Sequence, residues 1–152
     1  MPAYSFKERF VPFVKAKTKR MTIRNFRKYP VKPGQPAMLY YGMRTKYIQK
    51  LWEGDWPKLV DVKSVAFLSD GAVRVFDTNW IAPEDREPVL GGMILPGIRH
   101  NDLTKIQKDV FAWNDGFRHS DRPQCTDGCY EIMRRYWSMN GGVSFVGFIS
   151  YW

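Results

Sequence analysis

The last ten residues, VSFVGFISYW (143–152), carry no charged side chain. In a strand, successive side chains point to opposite faces. Here both faces are apolar, so the strand is expected in the interior of a sheet, covered on both sides. The rest of the chain must supply its neighbours. With 152 residues and 44% hydrophobic content, the chain has the length of one domain and enough apolar material for a real core. It shows no internal repeat and no linker.

Residues 9–16 place Phe10, Phe13 and Val14 on one face of a short helix, with Pro12 in its first turn. Residues 20–24 alternate as a strand. VKPG (31–34) is a turn, and 36–44 reads as a second strand. Residues 45–58 are expected to hold a short helix ending near Gly54. Strands at 59–68 and 72–76 flank Ser-Asp-Gly-Ala, a strong hairpin signal. Residues 77–100, with Pro83, Pro88, Pro96, Gly91, Gly92 and Gly97, read as a long loop insertion. Asn101 or Asp102 is expected to cap a helix to about Asn114, with Leu103, Ile106, Val110 and Phe111 inward and Gly116 as its stop. A further helix over 126–139 turns Cys129, Ile132, Met133, Tyr136 and Trp137 to one side. Asn-Gly-Gly (140–142) then turns the chain into the last strand. The fold class is α+β, with about five strands curling into a small barrel and helices outside.

Charge is segregated. Residues 1–50 hold 13 Lys or Arg against Glu8 alone, a balance of +12, whereas residues 51–152 sum to −3. KTKRMTIRNFRK (17–28) concentrates this, with six basic side chains and no acid around Met-Thr-Ile. Such asymmetry points to a polyanion, nucleic acid first and an anionic membrane surface second.

Cys125 and Cys129 are spaced i, i+4, a poor geometry for a disulfide if the segment is helical, and read as intracellular thiols. Two Cys with His100 and His119 fit no zinc spacing, and Thr-Asp-Gly-Cys (126–129) lacks the oxygen ligands of a calcium loop. No metal or cofactor is expected. The start, MPAYSFKERF, lacks the apolar core of a signal peptide, and no apolar run is long enough to span a membrane. A cytoplasmic protein is the expectation.

Arg9-Phe10, KRMTIR (19–24), Gly34 opening an apolar strand, Arg44 and FAWNDGF (111–117) together resemble an ASCH domain, a compact PUA-like β-barrel family associated with RNA. The resemblance implies a single ASCH/PUA-like domain over 1–152, of five to six strands. It implies a ligand cleft lined by Lys19, Thr22 and Arg24 and by an acid near a helix end. The segment is also similar to that of small amidohydrolases that deacetylate N(4)-acetylcytidine. That similarity implies Lys19 as proton acceptor, Thr22 as nucleophile and Asp115 as proton donor. Asp115 stands where those enzymes have Glu, Gln35 stands where the family often has Asp, and 77–100 is additional. Other members are described as RNA binders or ribonucleases.

From the residues themselves, a strand beginning at Lys19 turns Lys19, Met21 and Ile23 to the core and Arg20, Thr22 and Arg24 away. Burial disfavours a charged lysine and lowers its pKa, as a general base near neutral pH requires. Thr22 needs a base within hydrogen-bond reach to act as a nucleophile. The two converge only if Lys19 lies in the turn before the strand, or if a bulge intervenes. Arg24 and Arg44 suit bidentate grips on phosphate or a base edge. Arg20, Arg27, Lys28 and Lys32 suit phosphate contacts. Tyr40, Tyr41 and Trp52 are candidates for stacking on bases. Three readings follow: an RNA- or nucleic-acid-binding domain, a hydrolase acting on a modified nucleoside or RNA, and a protein-interaction module with a basic docking face.

Overall fold

The uncharged C-terminal run forms β8 (Phe145–Tyr151), and it lies between two strands as its two-sided apolarity requires. One neighbour is β2 (Met21–Arg24) and the other β5 (Asp61–Phe67), both antiparallel. Beyond β5 come β6 (Val73–Phe76) and β7 (His100–Asp102), giving a five-stranded sheet in the order β2-β8-β5-β6-β7. The computed structural model describes residues 1–119, 121–122, 124–139 and 144–152; the Asn-Gly-Gly turn lies outside these.

A second, three-stranded sheet is formed by β1 (Ala3–Phe6), β3 (Met38–Tyr41) and β4 (Gln49–Lys50), with β1 parallel to β3. Among the described residues four α-helices complete the fold: α1 (Val11–Lys15), α2 (Pro83–Leu90), α3 (Lys105–Asn114) and α4 (Cys129–Met139). The class is α+β. Strand pairing among the described residues leaves two open sheets of eight strands in all, rather than one closed ladder of five or six.

The main core joins both sheets. It contains Tyr4 and Phe6 of β1, Met21 and Ile23 of β2, Phe148 and Ile149 of β8, and Phe111, Phe117 and Met133 from the helical side. The Asp70-Gly71 turn makes the β5–β6 hairpin, with Gly71 at φ +85°. Gly147 allows the tightest approach in the sheet. A Cβ there would collide with the Arg24 carbonyl oxygen and the Phe145 ring.

Four expectations are corrected. Residues 77–100 are not one uninterrupted loop: α2 lies within them, and Ile81, Val89 and Leu95 build a second small core with Ala66, Leu68 and Phe76. Pro83 sits in the first turn, where its missing N–H costs nothing, while Pro88 inside the helix disguised it. Residues 45–58 hold β4, not a helix; Tyr47 and Ile48 are 69% and 53% exposed, so the apparent helical face finds no core. Thr104, not Asn101 or Asp102, caps α3, through a capping box with Gln107. Asn101 and Asp102 belong to β7, where Asp102 pairs with Arg74 at 2.6 Å. The inner face of α3 is also shifted: Ile106 and Val110 are exposed, and Asp109, Phe111 and Ala112 are buried. Asp109 is buried for a reason, since its carboxylate accepts the Tyr130 amide at the start of α4 (2.9 Å). The strand β1 was not anticipated; four residues of mixed character give little periodic signal.

Both cysteines are free thiols, with Cys129 buried. No helix among the described residues is long and apolar enough to cross a membrane.

Gly147→Ala is expected to destabilise the fold by about 3 kcal/mol, as overpacking against backbone does. Gly54→Ala, where no atom lies within 4 Å of an added Cβ, is expected to cost only the strain of its positive φ. Urea unfolding of the two variants checks the contrast.

Candidate functional site

The site is built where the end of α1 meets the end of α3. After Lys15 the chain reverses sharply. Lys17 adopts φ +57°, and the amides of Thr18 and Lys19 both donate to the Phe13 carbonyl (2.9 and 3.0 Å). Arg118 clamps the reversal by donating from Nη2 to the Thr18 carbonyl (2.8 Å), with its guanidinium 3.8 Å from the Trp113 ring centre. Lys19 therefore lies in the turn before β2, and strand alternation does not govern it. This places Lys19 and Thr22 beside one cavity.

Asp115 arrives from the other side as the C-cap of α3, its amide bonded to the Phe111 carbonyl (3.1 Å). Gly116 follows at φ +88°, and a Cβ there would lie 3.1 Å from Phe10 Cδ1 and 3.5 Å from Lys19 Cδ. Glycine is thus needed twice, for the backbone angle and for the close approach. Lys19 Nζ donates to both the carboxylate and the main-chain oxygen of Asp115. The pair is buried, at 1% and 5% exposure, with Phe10 4.9 Å below the ammonium.

Around this pair is a cavity of about 220 Å³, lined by Thr22, Ile23 and Arg24 and by Phe6, Phe10, Phe117, Tyr136 and Trp137. Thr22 is buried on β2, opposite Ser150 of β8. Among the described residues no side-chain hydrogen bond engages its hydroxyl. Arg24 is anchored by donating from Nη2 to the Ser5 carbonyl (2.8 Å) and lies over Phe6. Arg9 packs on three rings of this wall, Phe10, Phe117 and Tyr136, each at 5.2–5.3 Å.

Burial dominates the electrostatics. It lowers the Lys19 pKa to about 8 despite the opposing pull of Asp115, with Arg24 and Arg118 adding to the lowering. Burial also raises the Asp115 carboxyl above its ordinary value, while Lys19 and Arg24 hold it down. Burial thus moves both groups toward their neutral forms.

The structure sorts the remaining candidates. Arg24, Arg27 and Arg44 line a groove of about 480 Å³ next to the cavity. Arg27 and Lys28 line a further groove of about 310 Å³. Arg20 is exposed and lines none of these; its carbonyl accepts the Trp152 amide. Tyr41 is half-buried against the core and lines none of the three hollows. Tyr40 packs on Trp56 at 5.2 Å, and Trp52 lies under Lys17. Phe6, Phe117, Tyr136 and Trp137 were missed as site residues. Their aromatic character read only as core, and nothing in local spacing joins positions 6, 117 and 136.

No family model, no curated protein and no solved structure matches this chain. Its functional assignment therefore rests on the chemistry of the cavity.

Removing one member of a buried ion pair leaves the other charge stranded, typically at about 3–5 kcal/mol, whereas replacing both by apolar groups is neutral or stabilising. Lys19→Met is therefore expected to destabilise, and Lys19→Met with Asp115→Leu to restore stability to the wild-type level or above, by urea unfolding. The pH dependence has a definite sign. The unfolded chain keeps the lysine proton to about 10.5 and the folded chain releases it near 8. Between those values the unfolded state binds more protons, so wild-type stability rises with pH relative to the double variant.

Proposed function

We propose that this protein binds nucleic acid, receiving the base of one unpaired nucleotide in the cavity beside Lys19, Thr22 and Asp115. One observation carries the reading. An aromatic-walled cavity holding a donor–acceptor pair opens beside Arg24, onto a surface where arginines gather without carboxylate partners. At about 220 Å³ the cavity lies below the range of drug-sized ligand pockets and suits a single heterocycle. Aromatic rings offer faces to any base, and Lys19, Asp115 and Thr22 offer donors and acceptors to its edge. The +12 balance of residues 1–50 supplies the long-range attraction.

The ASCH resemblance supports the same reading, because several of the residues that carry it, Phe10, Lys19, Thr22, Arg24, Asp115 and Phe117, line the cavity. On this view the two sheets are the parts of a PUA-like barrel, and RNA is the preferred partner.

A second reading is favoured by the lowered Lys19 pKa beside Thr22. In it the cavity is an amidohydrolase site for an N(4)-acetylcytidine-like nucleoside. Neutral Lys19 takes the Thr22 hydroxyl proton as Oγ attacks the acyl carbon. Asp115, its carboxyl raised by burial, protonates the departing amine, and water then releases the acyl group.

Fluorescence anisotropy with short single-stranded RNA and DNA, at about 50 and about 200 mM salt, tests the first reading. Three phosphate contacts predict a loss of about twentyfold in affinity over that range. The Lys19→Met, Asp115→Leu variant is expected to bind at least tenfold more weakly at either salt. Binding by neither wild type nor variant would end this reading. For the second, wild type is expected to deacetylate N(4)-acetylcytidine with a bell-shaped pH dependence, since Lys19 must be neutral and the Asp115 carboxyl protonated, with Lys19→Ala inactive. Equal inactivity of the two proteins would remove it.

A further inference from the structure

The cavity does not end at Arg24. Arg24 is also a wall of the neighbouring groove, which contains Arg27, the turn 42–45 and Arg44. Arg27 in turn is shared with the next groove, which contains Lys28 and Tyr29. The shared arginines set the three hollows side by side in a row, or trough, that starts at Lys19.

The cations of its two grooves are not among those held in ion pairs between described residues. Arg74 is paired with Asp102, Lys63 lies near Asp61 and Asp77, and Arg134 and Arg135 reach Glu131. Among the described residues, Arg24, Arg27, Lys28 and Arg44 have no carboxylate within ion-pair distance, and no acid lines either groove. Two of the arginines are also fixed in place. Arg24 donates to the Ser5 carbonyl (2.8 Å) and Arg27 to the Ala3 carbonyl (2.6 Å), with Arg27 resting on Tyr4. Each keeps other guanidinium N–H groups for a ligand.

Ala3 and Ser5 are two residues apart on β1, so their carbonyls sit about 6.6 Å apart. That separation is comparable to the distance between successive phosphates of an extended single strand. Arg44 is presented from the facing turn, which Thr45 tightens by donating its hydroxyl to the Gly42 carbonyl (2.9 Å). At the far end Tyr29 is 70% exposed, with the Lys28 ammonium 5.3 Å from its ring. An exposed ring next to a cation is what single-strand binders offer to a stacked base.

We propose that this trough is the track of a single-stranded polynucleotide, with one base in the Lys19 cavity, phosphates on Arg24, Arg27 and Arg44, and a later base stacked on Tyr29. The proposal rests on the reading of the cavity as a base site and extends it. The ligand is a strand of about four nucleotides rather than a free nucleoside. A single strand is preferred over a duplex, because the bases of a duplex are turned inward and cannot reach the cavity unless flipped out.

The test is a titration of labelled tetranucleotides, in RNA and DNA form, a blunt duplex, a free nucleoside panel and a poly-glutamate peptide. It uses wild type, Arg44→Gln, Tyr29→Ala and the Arg27→Gln, Arg44→Gln double variant. Wild type is expected to bind a tetranucleotide with a slope of log affinity on log salt near −2, from three phosphates at about −0.7 each. Arg44→Gln, an exposed position, should reduce that slope by about 0.7, and the double variant by about 1.4. The ratio of tetranucleotide to nucleoside affinity should fall at least tenfold in the double variant. Tyr29→Ala should weaken the tetranucleotide several-fold without changing the slope. The RNA and DNA arms decide which sugar the track accepts. Nucleosides bound as tightly as the tetranucleotide, with no change in slope, would overturn the track and leave the cavity reading standing. A tetranucleotide bound with the expected slope, but unaffected by Lys19→Met with Asp115→Leu, would overturn the base site instead. Duplex or poly-glutamate bound as tightly as the single strand would overturn the proposal outright.

Discussion

The buried contact between Lys19 and Asp115 is the constraint around which the site is arranged. Taking an ammonium and a carboxylate out of water costs several kcal/mol per ion, and their attraction repays it only when geometry and further hydrogen bonds are good. The chain meets that requirement with unusual backbone. Lys17 takes a left-handed turn, Arg118 holds the Thr18 carbonyl, and Gly116 lets Phe10 and the Lys19 stem close against the end of α3. Asp115 then offers two oxygens to one ammonium, from its side chain and its main chain. An apolar pair would stabilise the core at least as well. The expense is physically intelligible if the pair serves a ligand.

The position of this contact also explains why a small apolar strand lies inside a run of positive charge. Met21 and Ile23 are 1% exposed and lock β2 to β8. Because the strand is fixed, the side chains at its two ends are aimed. Lys19 at one end enters the cavity, and Arg24 at the other forms the wall between cavity and groove. Beyond the strand, Arg27 is tied to β1 by a carbonyl, so the basic run becomes an ordered row along the edge of both sheets.

Much of this was legible in the sequence. The two-sided apolarity of 143–152 placed β8 between strands, and Asp70-Gly71 located a hairpin. Lys19, Thr22, Asp115 and Arg24 do come together, and Arg27 and Arg44 gather beside them. Three parts were not legible, each for a physical reason. The helix α2 buries only Val89 and carries a proline inside, so it has no periodic face to read. The phase of α3 was misjudged because Asp109, a polar residue, is buried as the cap of α4, while Ile106 stands in solvent. Tyr41 and Arg20 fall outside the site, because a side chain's final direction depends on register between strands distant in sequence. The aromatic wall is of the same kind: Phe6, Phe117 and Tyr136 meet only through the tertiary fold.

The central claim is that Lys19 is a buried, pKa-lowered group facing a ligand cavity. The most direct measurement is an NMR titration of the Lys19 side-chain ε-CH₂ signals against pH, without and with a single-stranded tetranucleotide. The account predicts a midpoint near 8 in the free protein, and a displaced midpoint when the tetranucleotide is bound. A midpoint at the ordinary lysine value near 10.5, unmoved by the tetranucleotide, would contradict it.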